Sequence, residues 1–142
     1  MSTEQNKAAV LRIFTEAWNE KNLAVLREVI AEEAAYHDPT TPQPLVGPEG
    51  QEMFIGSYHA AFPDTHFTIE DVVAEEDKVV VRWAASGTNQ GSLMGMPATG
   101  KPVSVRGMTM FTVRDGKVQE SWTNWDTLAM LQQLGIIPMP QG

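Results

Sequence analysis

The residues best suited to chemistry lie near the C-terminus, where Glu120, Asn124 and Asp126 alternate with Val118 and Trp122. In an extended strand that spacing places all of them on one face. A face that carries valine and tryptophan is expected to be covered, and covered faces rarely hold such polar groups. Burying an unpaired carboxylate costs several kcal/mol or raises its pKa. The pattern therefore implies a polar cavity, internal partners, or a strand end that reaches water. A pocket is the economical reading, with Asn124 the polar neighbour nearest Asp126. Trp122, about 13 Å from Asp126 along an extended strand, would line the floor. The plainer alternative is that Asp126 caps a following helix and Glu120 lies at a solvated edge.

This face assignment depends on Asp115-Gly116, a strong hairpin signal. A two-residue loop pairs Arg114 with Lys117. The same register sets Val113 opposite Val118, Phe111 opposite Glu120, Thr109 opposite Trp122, Gly107 opposite Asn124 and Val105 opposite Asp126. A bulge would separate the two valines, so the unbulged pairing is expected. The opposite face then carries Arg106, Met108, Met110, Ser121 and Trp125. Methionines and a tryptophan on an open sheet face point to a homodimer contact, or to a lone cation–aromatic pair in water.

His37 and Asp38 form a polar pair beside Pro39, at a strand end or in a loop. Near a pocket mouth, His37 would donate to a carbonyl or shuttle protons; otherwise it is an exposed loop histidine. His59, one residue off an apolar stripe, is expected to make a helix-boundary hydrogen bond, and His66 to face water. The histidines are scattered without i, i+4 partners, so no metal is expected. No nucleophile elbow or phosphate-binding loop occurs, and Gly91, Gly95 and Gly100 lack the following helix an anion site requires. No cofactor is expected from these motifs.

Several elements are needed to position such residues. Val10, Ile13, Phe14, Ala17 and Trp18 recur at helical steps, with Ser2 or Thr3 as cap. Asn22 caps a shorter helix carrying Leu23, Leu26, Val29 and Ile30 and ending near Ala31. Pro48 opens a third helix with Phe54, Tyr58, Ala61 and Phe62 on one stripe, closed by Pro63. Strands are expected at 65–75, 78–90, 102–113 and 117–126, and a short helix at 126–134 before Gly135. Helices followed by an antiparallel meander give an α+β fold with helices over one face of a curved sheet. Trp18, Phe54, Tyr58, Phe62 and Phe111 would enclose a flat, mostly apolar molecule.

The 142 residues suit one domain, 1–142, and 42% hydrophobic content is enough for a core. A net charge of −8 disfavours nucleic acid and anionic lipid as partners. Without cysteine there is no disulfide, thiolate nucleophile or iron–sulfur cluster. No apolar run marks a signal peptide or a spanning helix, and a cytoplasmic location is expected.

The order of elements and several strings resemble the SnoaL-like polyketide cyclases of the nuclear transport factor 2-like (cystatin-like) superfamily. The carriers are His37-Asp38-Pro39, Gly47-Pro48-Glu49-Gly50, Phe62-Pro63-Asp64, Gly87-Thr88 with Gly91, the run from Gly95 to Lys101, Asp115-Gly116-Lys117, and Trp122 with Asp126. The resemblance implies a cone-shaped α+β domain and a cofactor-free intramolecular aldol cyclisation of a small hydrophobic or aromatic carbonyl compound. It implies Asp126 as general acid/base and His37 as its partner near the substrate oxygen. This chain has Asn89 in the Gly-Thr-x-x-Gly segment where many relatives carry histidine; asparagine can bind substrate there but cannot relay a proton. A noncatalytic carrier of a small hydrophobic ligand and a dimeric interaction module are the alternatives that the sequence leaves open.

Overall fold

A computed structural model describes residues 2–140. Ser2 starts α1 (Thr3–Arg12) with a capping box, its hydroxyl accepting from the Gln5 N–H while the Gln5 side chain accepts from the Ser2 N–H. The apolar stripe continues into a π-helical stretch, Ile13–Asn19, which turns Phe14, Ala17 and Trp18 toward the core. A 3-10 turn (Leu23–Val25) leads into α2 (Leu26–Val29), shorter than its pattern predicts. Ile30 is already extended, at φ −119° and ψ 129°, and opens β1 (Ile30–His37). This strand is missing from the sequence expectations because its main partner lies more than eighty residues away. It pairs in parallel with β6, a non-local contact that no local periodicity announces.

A two-residue strand, β2 (Leu45–Val46), pairs with β1 and leads into α3 (Gly47–Ala61), which has proline in its first turn. The meander follows as β3 (His66–Glu75), β4 (Lys78–Thr88), β5 (Pro102–Arg114) and β6 (Lys117–Trp125), then α4 (Thr127–Gln133). The strands form one curved, open sheet in the order β2-β1-β6-β5-β4-β3, antiparallel except between β1 and β6. The architecture is the expected α+β arrangement, with two more strands than the sequence pattern shows. Helices cover one face: Val10, Ile13 and Phe14 pack with Val79, Val81 and Phe111. A second cluster, including Phe62, Leu93, Val103 and Met130, seats α4 and the 91–100 loop at the other end. No helix among the described residues is long and apolar enough to cross a membrane.

The β5–β6 hairpin decides which side chains face the helices. Asp115 and Gly116 take φ of 53° and 76°, as a two-residue turn of type I′ requires. Arg114 pairs with Lys117 and Val113 with Val118, as expected. Then the register slips: Thr112 pairs with Glu120, Phe111 with Ser121, Met110 with Trp122, Thr109 with Thr123 and Gly107 with Trp125. Gln119 is the extra residue of a β-bulge within the strand, and every side chain beyond it changes face. Ser121, Thr123 and Trp125 therefore point inward, while Glu120, Trp122 and Asn124 point to the open side. This corrects the expected register. The bulge keeps Val118 in the core beside Val113 and spares the protein the burial of a carboxylate and an amide.

Candidate active site

Between the helices and the inner sheet face lies a cavity of about 100 Å³. Phe14 and Trp18 enter it from the π-helical stretch, Phe54, Tyr58 and Phe62 from α3, and Phe67, Trp83, Phe111 and Trp125 from the sheet. The rings are in mutual contact: Trp18 and Phe67 centroids are 4.6 Å apart, Phe67 and Trp83 4.9 Å, Phe54 and Tyr58 5.0 Å. Trp18, Phe54, Tyr58, Phe62 and Phe111 line the hollow as their spacing predicts.

One carboxyl group lines it among the described residues, that of Asp38. Along β1, Ala34 and Tyr36 face the core, and the alternation carries on to Asp38, which is only 8% exposed. Asp38 Oδ1 accepts from the Thr40 N–H at 2.8 Å and the Thr40 hydroxyl at 2.6 Å. Oδ2 accepts from the Tyr36 phenol at 2.8 Å. The Trp125 indole N–H reaches both oxygens, at 3.4 Å and 3.3 Å. A carboxylate oxygen has two lone-pair sites, so Oδ1 is filled by Thr40, whereas Oδ2 keeps a site opposed only by a long, shared contact.

The polar end of the cavity extends around this group. Trp83 donates to Thr109 Oγ1 at 3.1 Å, and the Thr109 and Thr123 hydroxyls share a bond of 2.8 Å. Burial, reinforced by the neighbouring Asp38 charge, pushes the Tyr36 phenol well above its usual range. Burial also raises Tyr58 to about 12, opposed by the Thr40 side chain and reinforced by Asp38. The Tyr58 hydroxyl oxygen is buried and makes no hydrogen bond.

Other expected site residues lie elsewhere. Asp126 is exposed and is the N-cap of α4, its Oδ1 accepting from the Ala129 N–H at 2.9 Å. It does not line the cavity, because the Gln119 bulge and the end of β6 turn its carboxyl outward. Asn124 is exposed, and Glu120 and Trp122 lie on the open face with it. His37 points the same way: its Nε2 is 2.7 Å from Glu120 Oε2, and its ring stacks on Trp122 with centroids 5.5 Å apart and 9° between planes. Strand alternation separates it from Tyr36 and Asp38. Asn89, 1% exposed, clamps the 91–100 loop instead of lining the hollow, donating to the Gly91 carbonyl and accepting from the Thr99 N–H and hydroxyl. Trp125, assigned from sequence to the open face, points into the cavity.

His59 makes the helix-boundary bond foreseen for it, with Nε2 2.9 Å from the Trp18 carbonyl, and His66 is exposed. The carboxyl group that lines the cavity, Asp38, is not among the site residues expected from the sequence. Its signal was present two residues from Tyr36, since an inward Tyr36 on a strand makes Asp38 inward and His37 outward.

The chain matches the family model of the SnoaL-like polyketide cyclases over residues 8–134. It belongs to that family. Aklanonic acid methyl ester cyclase DauD of Streptomyces sp. (strain C5) is 31% identical over 121 residues, 83% of this chain and 72% of that protein. Among solved structures, a SnoaL-like protein of Jannaschia sp. CCS1 superposes with a TM-score of 0.87 at 30% identity, covering 96% of this chain and 95% of the other. IdmH of Streptomyces antibioticus does so at 0.80 and 35% identity, covering 92% of this chain and 99% of its own. Family membership agrees with the helix-covered sheet and the aromatic hollow, and leaves the reacting groups to be assigned from the site itself.

Proposed function

We propose that this protein performs cofactor-free acid–base chemistry on a small, mostly apolar carbonyl compound, in the manner of an intramolecular aldol cyclisation, with Asp38 as the base. The observation that carries this is a carboxyl group inside an aromatic cavity, with one oxygen held by Thr40 and the other only partly engaged. Asp38 Oδ2 takes a proton from the carbon next to a carbonyl, giving an enolate. The enolate carbon attacks a second carbonyl of the same molecule, and the alkoxide formed recovers the proton from Asp38. Each step conserves charge within the site, and fixed donors on Oδ1 hold the base in place through the cycle.

Family kinship to a named cyclase supports this class of reaction, and the aromatic walls suit a flat substrate. The test uses deuterium incorporation into 2-indanone in D2O, followed by NMR. The protein is expected to accelerate exchange at the carbons flanking the carbonyl, and Asp38→Asn to lower that acceleration by about 10²-fold or more. Equal acceleration by the two proteins would remove Asp38 from the role. The number of donors on Asp38 favours a second reading, in which the carboxylate is structural and the hollow only carries a ligand. In that case 2-indanone binds but exchanges at the solvent rate.

The open sheet face supports a second copy of the chain as partner. Its members are Arg106, Met108 and Met110 as expected, with Trp122 in place of the inward-pointing Trp125.

A further inference from the structure

Tyr58 projects from α3 into the cavity, and its hydroxyl oxygen is buried without any hydrogen bond. Buried polar groups are almost always paired, so an orphan of this kind calls for a partner that the folded chain does not supply. It sits at the polar end, where the Thr40 hydroxyl acts on it as a hydrogen-bonding neighbour without completing a bond and Asp38 acts on it as a charge. Trp125, which donates to Asp38, stands edge-on to the Tyr58 ring at 6.2 Å. The remaining surroundings of Tyr58 are the rings of Trp18, Phe54 and Phe62, which offer no strong acceptor. Burial keeps the phenol protonated far above neutral pH, so it remains a donor. What it lacks is a completed hydrogen bond.

We propose that Tyr58 donates its hydrogen bond to the carbonyl oxygen of a compact, otherwise apolar ketone, and thereby sets the C–H beside that carbonyl against Asp38. The proposal rests on the reading of Asp38 as base, to which it adds the substrate's anchoring group and its size. A phenol donor binds an enolate oxygen more strongly than a neutral carbonyl, so the same contact favours proton removal. The space of about 100 Å³, in a hollow partly open to solvent, is on the order of the ~150 Å³ engineered cavity that shelters benzene. The part of the ligand held inside is therefore about one ring.

The test compares acetophenone with ethylbenzene, which share a ring and differ in the oxygen. By calorimetry or ligand-observed NMR, the protein is expected to prefer acetophenone by about three- to tenfold, the value of one net hydrogen bond. In Tyr58→Phe, which keeps the ring that packs on Trp18 and Phe54, the preference should fall to near one. The carbonyl stretch of bound ¹³C-labelled acetophenone should lie lower in the original protein than in Tyr58→Phe. An unchanged preference in the variant, equal loss of both ligands, an unmoved carbonyl band, or no binding of either ligand at millimolar concentration would overturn the proposal. None of these readouts needs turnover, so they stand apart from the exchange assay. Asp38→Asn that exchanges like the original protein would defeat the base assignment while the Tyr58-dependent preference persisted.

Discussion

The indole N–H of Trp125 reaches both carboxylate oxygens of Asp38, at 3.4 Å and 3.3 Å, joining the last residue of β6 to the residue that follows β1. Two features must coincide for this contact to exist. The parallel β1–β6 pair brings the strand ends together, and the Gln119 bulge turns Trp125 inward. Without the bulge, alternation would present Asn124 and Asp126 to the helices and send Trp125 to the open side. The bulge therefore decides which acid meets the aromatic hollow.

Asp126 is the comparison that makes this assignment testable. Its carboxyl is committed to the first turn of α4 through the Ala129 N–H and lies outside the cavity. Asp126→Ala is expected to cost about 1 kcal/mol of stability, the usual value of a lost N-cap, measured by urea denaturation. Its rate of 2-indanone exchange should match that of the unaltered protein. A large loss of exchange with intact folding would return the catalytic role to Asp126.

Gly107 provides a second handle on the same contact. A Cβ placed there would lie 2.6 Å from the Trp125 Cβ and would also strike the six-membered ring of Trp83. Withdrawing either tryptophan into the cavity would strain its hydrogen bond, that of Trp83 to Thr109 or that of Trp125 to Asp38. Gly107→Ala should therefore cost about 1–3 kcal/mol, as overpacking does. It should also alter the near-ultraviolet circular dichroism of the tryptophans and slow exchange through the displaced Trp125. Wild-type stability and spectra in this variant would show that the strand opens more easily than its contacts indicate.

The fold was legible wherever the sequence signal is local. The α1 cap at Ser2, the Pro48 start and Pro63 stop of α3, the Asp115-Gly116 turn and the α4 span each follow from residues within one or two turns of each other. The aromatic lining was legible for the same reason, since Phe54, Tyr58 and Phe62 recur at the helical period. What escaped is non-local. β1 depends on a parallel partner far along the chain, and the inserted Gln119 leaves the hairpin turn itself unchanged. One inserted residue reverses an entire face, so the dependent assignments of Glu120, Trp122, Asn124, Trp125 and Asp126 failed together. Asp38 shares the inward face of Tyr36 two residues away, whereas His37, by type the commoner proton carrier, takes the outward one.

His59 makes stability depend on mild acidity. Burial lowers its pKa from 6.5, partly offset by its bond to the Trp18 carbonyl. The unfolded chain therefore binds the proton more readily than the folded one. Stability attributable to this group is complete above about pH 6.5 and falls as the pH drops below it toward the folded value. Urea midpoints measured from pH 7.5 to 5.5 should decline, and His59→Gln should flatten that decline. A slope unchanged in the variant would move its origin to other groups.

The open sheet face gives the last prediction. Met108 and Met110 are 50% and 37% exposed, and Met110 pairs across the strands with Trp122, on which His37 stacks. A chain of net charge −8 should repel its own copy, yet both arginines of this face are paired locally, and Glu120 is held by His37. Arg82 meets Asp71 at 2.6 Å and Glu70 at 2.9 Å, and Arg106 lies 3.4 Å from Glu70. Two such faces related by a twofold axis can bring their methionines and Trp122 together while both arginines keep their carboxylate partners. Sedimentation velocity at about ten micromolar should therefore show a dimer. Met110→Lys, which places a cation at the centre of that contact and touches nothing in the cavity, should give a monomer with an unchanged exchange rate in the 2-indanone assay. A monomer before any substitution would leave these methionines as ordinary exposed residues of a one-sided sheet.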